Sequence, residues 1–378
     1  MGENSGSNLE KLKFVPPELF GDNEISIKRL KACDAQKSFE MIDRYRHELR
    51  TFLPWIDFTN TLEEQKKSLF KFEAEWEEKI AFHFYIEFQG QYVGGIGAHN
   101  IDFNNLTFEI GYMLFPPFWK KGIIQRAVAL FTNEFFKLGY LRSEIRCDSK
   151  NIVSALVPLR LGFTFEGTRR SDIAISKIRR DTMVFSALST DQIEIKKTFF
   201  HKDHLFIMRQ AGPSDIPNII ACYKKNDAHF RPFIPTVPVH FFDQQFWSNK
   251  IFKELQEGLL GNSLGLFLFA LDNKTVIGKI TLSNIIKGAR QAANLGYHID
   301  EDCQGQGIVS SAVKIICHHA FIKMGLHCIE AGFVPHNKKS ERVLEKCGFQ
   351  KCGNFPNYIL INGKWEEHVI YQLINKEN

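Results

Sequence analysis

The sequence predicts an α+β protein built from two copies of one domain, each a mostly antiparallel twisted sheet flanked by helices. Three observations predict it. A chain of 378 residues has room for two ordinary domains. Its composition, 44% hydrophobic and 24% charged, is that of a globular protein. Its halves repeat one another piece by piece. "HELRTFLPW" (47–55) echoes "AHFRPFIPT" (228–236), "YVGGIGAHNI" (92–101) matches "VIGKITLSNI" (276–285), and "EIGYML" (109–114) matches "NLGYHI" (294–299). Further on, "KGIIQRAV" pairs with "QGIVSSAV", "NIVSALVPLRLGF" (151–163) with "NKKSERVLEKCGF" (337–349), and "RDTMVF" with "EEHVIY". A period near half the chain means duplicated domains rather than a solenoid. The expected division is a polar tail over 1–24, a first domain over 25–188, a linker over 189–204 and a second domain over 205–376.

Within each half the elements follow from periodicity. "SIKRLKA" and "LFIMRQA" alternate as opening strands, each followed by a helical pattern led by Asp34 or Asp215. "FHFYIEF" into "YVGGIGAHN", and "LFLFALD" into "VIGKITLS", are apolar strands joined by short turns. The next strand ends at Met113 or His298. After a glycine turn, "QRAVALFTNEFFKLG" and "SSAVKIICHHAFIKMG" carry apolar residues at helical spacing and stop at Gly139 and Gly325. "SEIRCD" and "HCIEAGFV" return as a strand, so each half has one strand–helix–strand crossover. A short helix from Asn151 or Asn337 and two final strands complete the half.

Charge and cysteine usage bound the function. A net charge of +5 and a pI near 8.6 suit an anionic ligand without the basic stripe of a nucleic-acid binder. Eight cysteines form no Cys-x-x-Cys pair and follow no recognisable secretory leader, so reduced thiols in a cytoplasmic protein are expected. Cys317 and His318 have no second cluster at ligand spacing, and no metal site is expected. No run reaches the ~18 apolar residues of a membrane span. "MGENSGS" misses a lipidation signal because Gly6 stands where Ser or Thr is required. The 35 phenylalanines are read mainly as core.

The glycine turns carry the chemistry. A strand that ends in a Gly-containing turn and opens a helix presents backbone N–H groups backed by the helix dipole, a phosphate-binding arrangement. In "CQGQGIVSSAV", Gly307 admits close approach of a ligand and Gly305 allows φ > 0. "FWKKGIIQRAV" repeats the turn around Gly122. No G-x-x-x-x-G-K-[ST] loop occurs, and "GGIGAHN" lacks the third glycine and following helix of a dinucleotide fingerprint.

"QGQGIV" fits the Q/R-x-x-G-x-G/A loop of the GNAT N-acetyltransferases, with Val309 in the slot where Gly or Ala is usual. With "LGYHID", "MGLHCIEAGFVPHNKKSERVLEKCGF" and "YILINGKWEEHVIY", residues 205–375 resemble the RimJ/RimL branch, the ribosomal-protein alanine and serine acetyltransferases. Residues 25–188 resemble it too, through "GYMLFPPFWKKGII", "GFTFEGTRR" and "RRDTMVFSAL". The resemblance implies transfer of the acetyl group of acetyl-CoA directly to a primary amine, on a peptide N-terminus or a small molecule; from charge and hydropathy no nucleic-acid or membrane partner is expected.

Site residues follow from it. Donor contacts fall on His298, Ile299, Gln304, Gly305, Gln306, Gly307, Ile308, Val309 and Asn337. In the first half they fall on Met113, Trp119, Lys120, Lys121, Gly122, Ile123, Ile124 and Asn151, where Lys120 replaces the usual small residue. Backbone N–H groups around His298 and Ile299 would steady the oxyanion. The tyrosine that many relatives carry on the late helix to protonate the leaving thiolate is missing; Ser340 and Ser154 take that role. A family glutamate proposed as base falls on Ile359 and Ile173, leaving Glu330, its counterpart Glu144, His298 or a water relay. The C-terminal half is expected to be the active one. The competing reading is a CoA-binding or partner-binding module without turnover.

Overall fold

Alternating buried and exposed residues build the first sheet, and the second repeats its plan. The computed structural model describes residues 14–175, 178–195 and 199–376, in two compact units that divide at residue 196.

In the first unit the strands are β1 (Leu19–Gly21), β2 (Ile25–Arg29), β3 (Phe82–Phe88), β4 (Gln91–Asp102), β5 (Thr107–Leu114), β6 (Arg142–Asp148), β7 (Thr164–Ile175) and β8 (Ile178–Leu188). They form one sheet ordered β1-β2-β3-β4-β5-β6-β8-β7. Helix α1 (Ala35–Arg44) and α2 (Leu62–Glu77) separate β2 from β3, α3 (Ile123–Lys137) crosses from β5 to β6, and α4 (Ile152–Leu161) precedes β7. The second unit has β9 (Phe200–Lys202), β10 (Ile207–Arg209), β11 (Leu264–Phe269), β12 (Val276–Ile286), β13 (Ala292–Ile299), β14 (Cys328–Phe333), β15 (Gln350–Ile361) and β16 (Lys364–Ile374). Their order, β15-β16-β14-β13-β12-β11-β10-β9, is the first order read from the other edge. Its helices are α5 (Ile216–Lys225), α6 (Gln244–Leu259), α7 (Ile308–Ile322) and α8 (Lys338–Lys346). This is the duplicated, mostly antiparallel α+β architecture that the repeat predicts. Among the described residues only β5–β6 and β13–β14 pair in parallel, through α3 and α7.

The central helices settle each core. α7 buries Ile308, Ala312, Val313, Ile316 and Ala320, one helical face against the sheet. α3 does the same with Ile123, Ala127, Val128, Phe131 and Phe135, and its phenylalanines stack: Phe131 on Phe135 at 4.5 Å between centroids, Phe108 on Phe135 at 4.7 Å. Asp34 and Asp215 stand at the helix starts as expected. Each carboxylate accepts the backbone N–H three residues before it, of Lys31 and Gly212.

Two strands lie where the sequence suggested irregular chain. β1 falls inside the stretch read as tail, held by pairing to β2 and by ion pairs from Glu18 to Arg29 and Lys31. β9 falls inside the stretch read as linker and pairs with β10 at the sheet edge. Edge strands of three residues leave too short a pattern to detect. Residues 1–13, most of the expected tail, lie outside the described residues.

Candidate active site

Each unit splits its sheet at the same place. β13 keeps pairing with β12 as far as Ile299, opposite Gly278, but its parallel register with β14 ends at Leu295 and Ala331. β5 likewise stays paired to β4 through Leu114, while its register with β6 ends at Glu109 and Glu144. Backbone groups past the split lose a partner strand on that side and need another. Asp300 donates to the Ile277 carbonyl at 2.7 Å. Amides in an antiparallel ladder alternate sides, so His298 also faces β12 while Tyr297 and Ile299 face the split. By the same logic Phe115 donates to Val93, Met113 faces β4, and Tyr112 and Leu114 face the opening. Of the two predicted residues His298 and Ile299, Ile299 is the one whose amide is free for a ligand.

The glycine loops follow. After β13 a 3₁₀ turn (Glu301–Cys303) leads to Gln304, Gly305 at φ 73°, Gln306, and Gly307 at φ 81° as the N-cap of α7. Gly307 offers no side chain to cap the first turn, so the N–H groups of Ile308 and Val309 remain for an anion. A Cβ placed on Gly305 or Gly307 would meet nothing within 4 Å, so both glycines border open space. Gln304 is held from two sides, by His229 at 2.7 Å and by the Lys339 ammonium, and Gln306 donates to the Asp302 carbonyl at 3.1 Å. The glutamines brace the loop.

The first loop has the same backbone with different side chains. Lys120 adopts φ 63° where the second loop has Gly305, and Gly122 caps α3 at φ 75° where the second has Gly307. Trp119 is pinned by its indole N–H to the Leu114 carbonyl at 2.6 Å, and Lys121 lies over the Phe118 ring. Ile123 and Ile124 open α3 as Ile308 and Val309 open α7. Lys120 therefore leaves the turn geometry intact and adds a cation beside it.

Asn337 and Asn151 cap the late helices: their side chains accept the N–H of Ser340 at 3.1 Å and of Ser154 at 3.2 Å. That places each serine against a tyrosine from the neighbouring strand. The Tyr297 hydroxyl is 2.8 Å from Ser340 Oγ and donates to the Ser340 carbonyl at 3.2 Å. In the first half the Tyr112 hydroxyl donates to the Ser154 carbonyl at 2.9 Å and accepts from Ser154 Oγ at 3.2 Å. Burial pushes both phenol pKa values up and keeps them protonated. Looking for a tyrosine on the late helix missed these two. The available signal was a Gly-Tyr pair at matching positions of both repeats, "GYM" and "GYH".

The remaining candidates are engaged elsewhere. Glu330 accepts two bonds from Arg290 at 3.0 Å and one from Gln372 at 2.9 Å. Burial pushes the Glu144 carboxyl up, but hydrogen bonds from Arg142 and Arg146 outweigh it and hold the pKa below the usual range. His298 leaves β13 on the face opposite Tyr297 and packs between Tyr223 (5.1 Å) and Phe230 (4.7 Å). Burial, aided by Lys279, Lys250 and His229, lowers its pKa to about 3. Cys317 is buried in the core. Among the described residues no group of three His, Cys, Asp or Glu is placed to hold a metal, and no helix is long and apolar enough to cross a membrane.

Comparison with known proteins identifies a family for both halves. The Acetyltransferase (GNAT) domain profile matches the chain twice, over residues 25–164 and 206–350. The probable N-acetyltransferase YjcK of Bacillus subtilis is 40% identical over 111 residues, which are 29% of this chain and 61% of that protein. The [ribosomal protein uS5]-alanine N-acetyltransferase of Escherichia coli is 30% identical over 167 residues, 44% of this chain and 86% of the relative. Among solved structures, the ribosomal-protein-S5-alanine acetyltransferase of Vibrio fischeri matches 47% of this chain and 98% of its own, at 28% identity and a TM-score of 0.46.

Proposed function

The chain belongs to the GNAT acetyltransferase family in both of its halves, and on that premise we propose that its C-terminal half passes the acetyl group of acetyl-CoA directly to a primary amine. The acceptor is a protein N-terminus or a small-molecule amine. The observation that carries the reading is the Tyr297–Ser340 hydroxyl pair, 2.8 Å apart beside the split of β13 from β14.

The residues fit acetyl-CoA as the acyl donor. Gly305 and Gly307 border open space at an uncapped helix start, the shape a pyrophosphate requires. Ile308 and Val309 supply amides there, and Lys339, tied to Gln304, adds a cation at the loop. The Ile299 amide faces the split and is placed to steady negative charge on the carbonyl oxygen. The amine adds to that carbon, the carbon–sulfur bond breaks, and the hydroxyl pair gives the sulfur a proton. One hydrogen of the pair is spent between the two oxygens, and the second is free for the sulfur once Tyr297 releases the Ser340 carbonyl. His298 is a poor base for this step. An imidazole enclosed between Tyr223 and Phe230 and flanked by Lys279 and Lys250 resists taking on a further positive charge, and its pKa falls to about 3. The proton leaves through water, and His298 shapes the acceptor face. Glu330, occupied by Arg290, serves the sheet.

Incubation with acetyl-CoA and a panel of amines, following free thiol, tests the reading. Gly307→Trp should remove the C-terminal contribution and its donor binding by calorimetry. Binding and turnover unchanged by that substitution would refute the site. Thiol release that no amine stimulates would favour the module without turnover.

A further inference from the structure

The N-terminal half contains a cavity of about 1070 Å³ that the C-terminal reading does not use. Tyr112, Ser154 and Asn151 line one part of it, and Phe72, His83 and His99 another. Tyr112 and Met113 are neighbours on β5, so their side chains leave on opposite faces of the sheet, yet both line this one void. The void therefore runs through the opening that starts where β5 leaves β6 after Glu109.

Glycine keeps that path open. Gly95, Gly97 and Gly111 line it. In the second half the position of Gly95, opposite Met113, is taken by Lys279, opposite His298, and that of Gly97 by Thr281. A Cβ on Gly97 would come within 2.9 Å of the Phe82 carbonyl, and one on Gly97 or Gly111 within 3.2 Å of His99 Nε2. The His99 imidazole thus lies over both glycines at the start of the opening. Its ring is 5.0 Å from that of His83, which Phe72 covers at 3.7 Å and Glu75 bonds at 2.8 Å. Among the described residues no hydrogen bond occupies either nitrogen of His99.

We propose that the N-terminal half is a second acetyl-transfer site, that its acceptor is a small primary amine carried on an apolar body, and that His99 takes the proton of that amine. The apolar body is matched by Leu53, Pro54, Trp55 and Phe58 on the cavity wall, with Trp55 41% and Phe58 79% exposed at its rim. Arg46 pins this loop through the carbonyls of Ile56 and Thr59 at 2.7 and 2.6 Å. The groups facing His99 are Glu75 and Lys71 from α2, His83 from β3, Glu109 from β5 and Arg146 from β6. Burial lowers the His99 pKa against the pull of Glu109 and Glu75, so the ring is neutral and able to accept. The first glycine loop, with Lys120 and Gly122 in left-handed conformations like those of Gly305 and Gly307, can hold the donor. The amine nitrogen bonds to the thioester carbon and the carbon–sulfur bond breaks. The nitrogen's proton passes to His99. The sulfur takes one from the Tyr112–Ser154 pair, which is refilled from solvent as His99 releases its own.

The test uses the full chain with Gly307→Trp, which removes the other half's donor site, and in parallel with Tyr297→Phe and Ser340→Ala together, which slow its chemistry about 100-fold. Thiol release from acetyl-CoA with hexylamine or 2-phenylethylamine should persist in both backgrounds. It should fall about 100-fold on adding His99→Gln, with KM for acetyl-CoA and the melting temperature unchanged. Trp55→Ala with Phe58→Ala should raise the amine KM about tenfold and spare kcat. Loss of all release in the Gly307→Trp chain, with no more than about 1% left in the other, overturns this inference and leaves the C-terminal reading standing. Full release in both silenced chains and also with Gly122→Trp defeats both readings. A His99→Gln chain that keeps its rate removes His99 from the chemistry, and spermidine or glycine outpacing hexylamine refutes the acceptor class.

Discussion

Removing the Tyr297 hydroxyl should slow the C-terminal reaction without unfolding the unit, and the size of the effect follows from the pair's geometry. Tyr297→Phe leaves Ser340 Oγ with its hydrogen, and Ser340→Ala leaves the Tyr297 hydroxyl beside the Ser340 carbonyl at 3.2 Å. General-acid groups contribute about 10² to 10⁴ in rate. A thiolate, whose acid has a pKa near 8.5 in cysteine, leaves readily, so the lower end applies. Each single variant should lose about 100-fold in kcat, and the double variant should lose no more than the worse single, because the two hydroxyls act as one donor. The lost hydrogen bond should cost about 1 kcal/mol, or about 2–4 °C in a domain of this size. The assay is thiol release at saturating acetyl-CoA in the Gly122→Trp chain, with the exposed Cys33 and Cys352 subtracted as a fixed background. Multiplicative losses in the double variant would mean two independent roles. An unchanged kcat in the double variant would refute the leaving-group assignment.

Three further outcomes are expected. Gly305→Ala should lower the melting temperature by about 2–4 °C, because its φ of 73° costs a side chain about 1 kcal/mol; Lys120→Gly should be neutral or slightly stabilising by calorimetry. Asn337→Ala should destabilise the second unit by about 1 kcal/mol in urea melts by removing the cap that accepts the Ser340 N–H. The second unit should also lose stability as pH falls from about 6.5 towards 3. His298 is neutral in the fold down to about 3 but takes a proton near 6.5 when unfolded, so acid favours the unfolded chain by up to about 1.4 kcal/mol per pH unit. His298→Gln should flatten that slope in denaturant melts between pH 7 and 4, and an unaltered slope would place the acid sensitivity elsewhere.

The duplication, the element order and both glycine corners were legible in the sequence because each rests on local chemistry. Gly307 is needed where φ turns positive, Asn337 where a helix starts, and an apolar face such as Ile308–Ala312–Ile316 where a helix meets a sheet. Lys120 read as a departure from the expected loop, yet its backbone follows the turn; a residue's type reports the steric cost of a conformation and not whether the surroundings impose it. β1 and β9 escaped notice because three residues at a sheet edge carry almost no pattern.

What the chain alone determined is the pair of folds and the glycine corner that opens a central helix in each, since backbone conformation and amphipathic spacing are properties of neighbours in sequence. Tertiary structure decided which groups meet beside the split sheet. It brought Tyr297 to Ser340 across 43 positions, committed Glu330 to Arg290, turned the His298 amide away from the opening and let three glycines hold a passage under His99. Those outcomes depend on strand register and on which side of a strand an amide or side chain faces, and register is fixed only when the whole sheet closes.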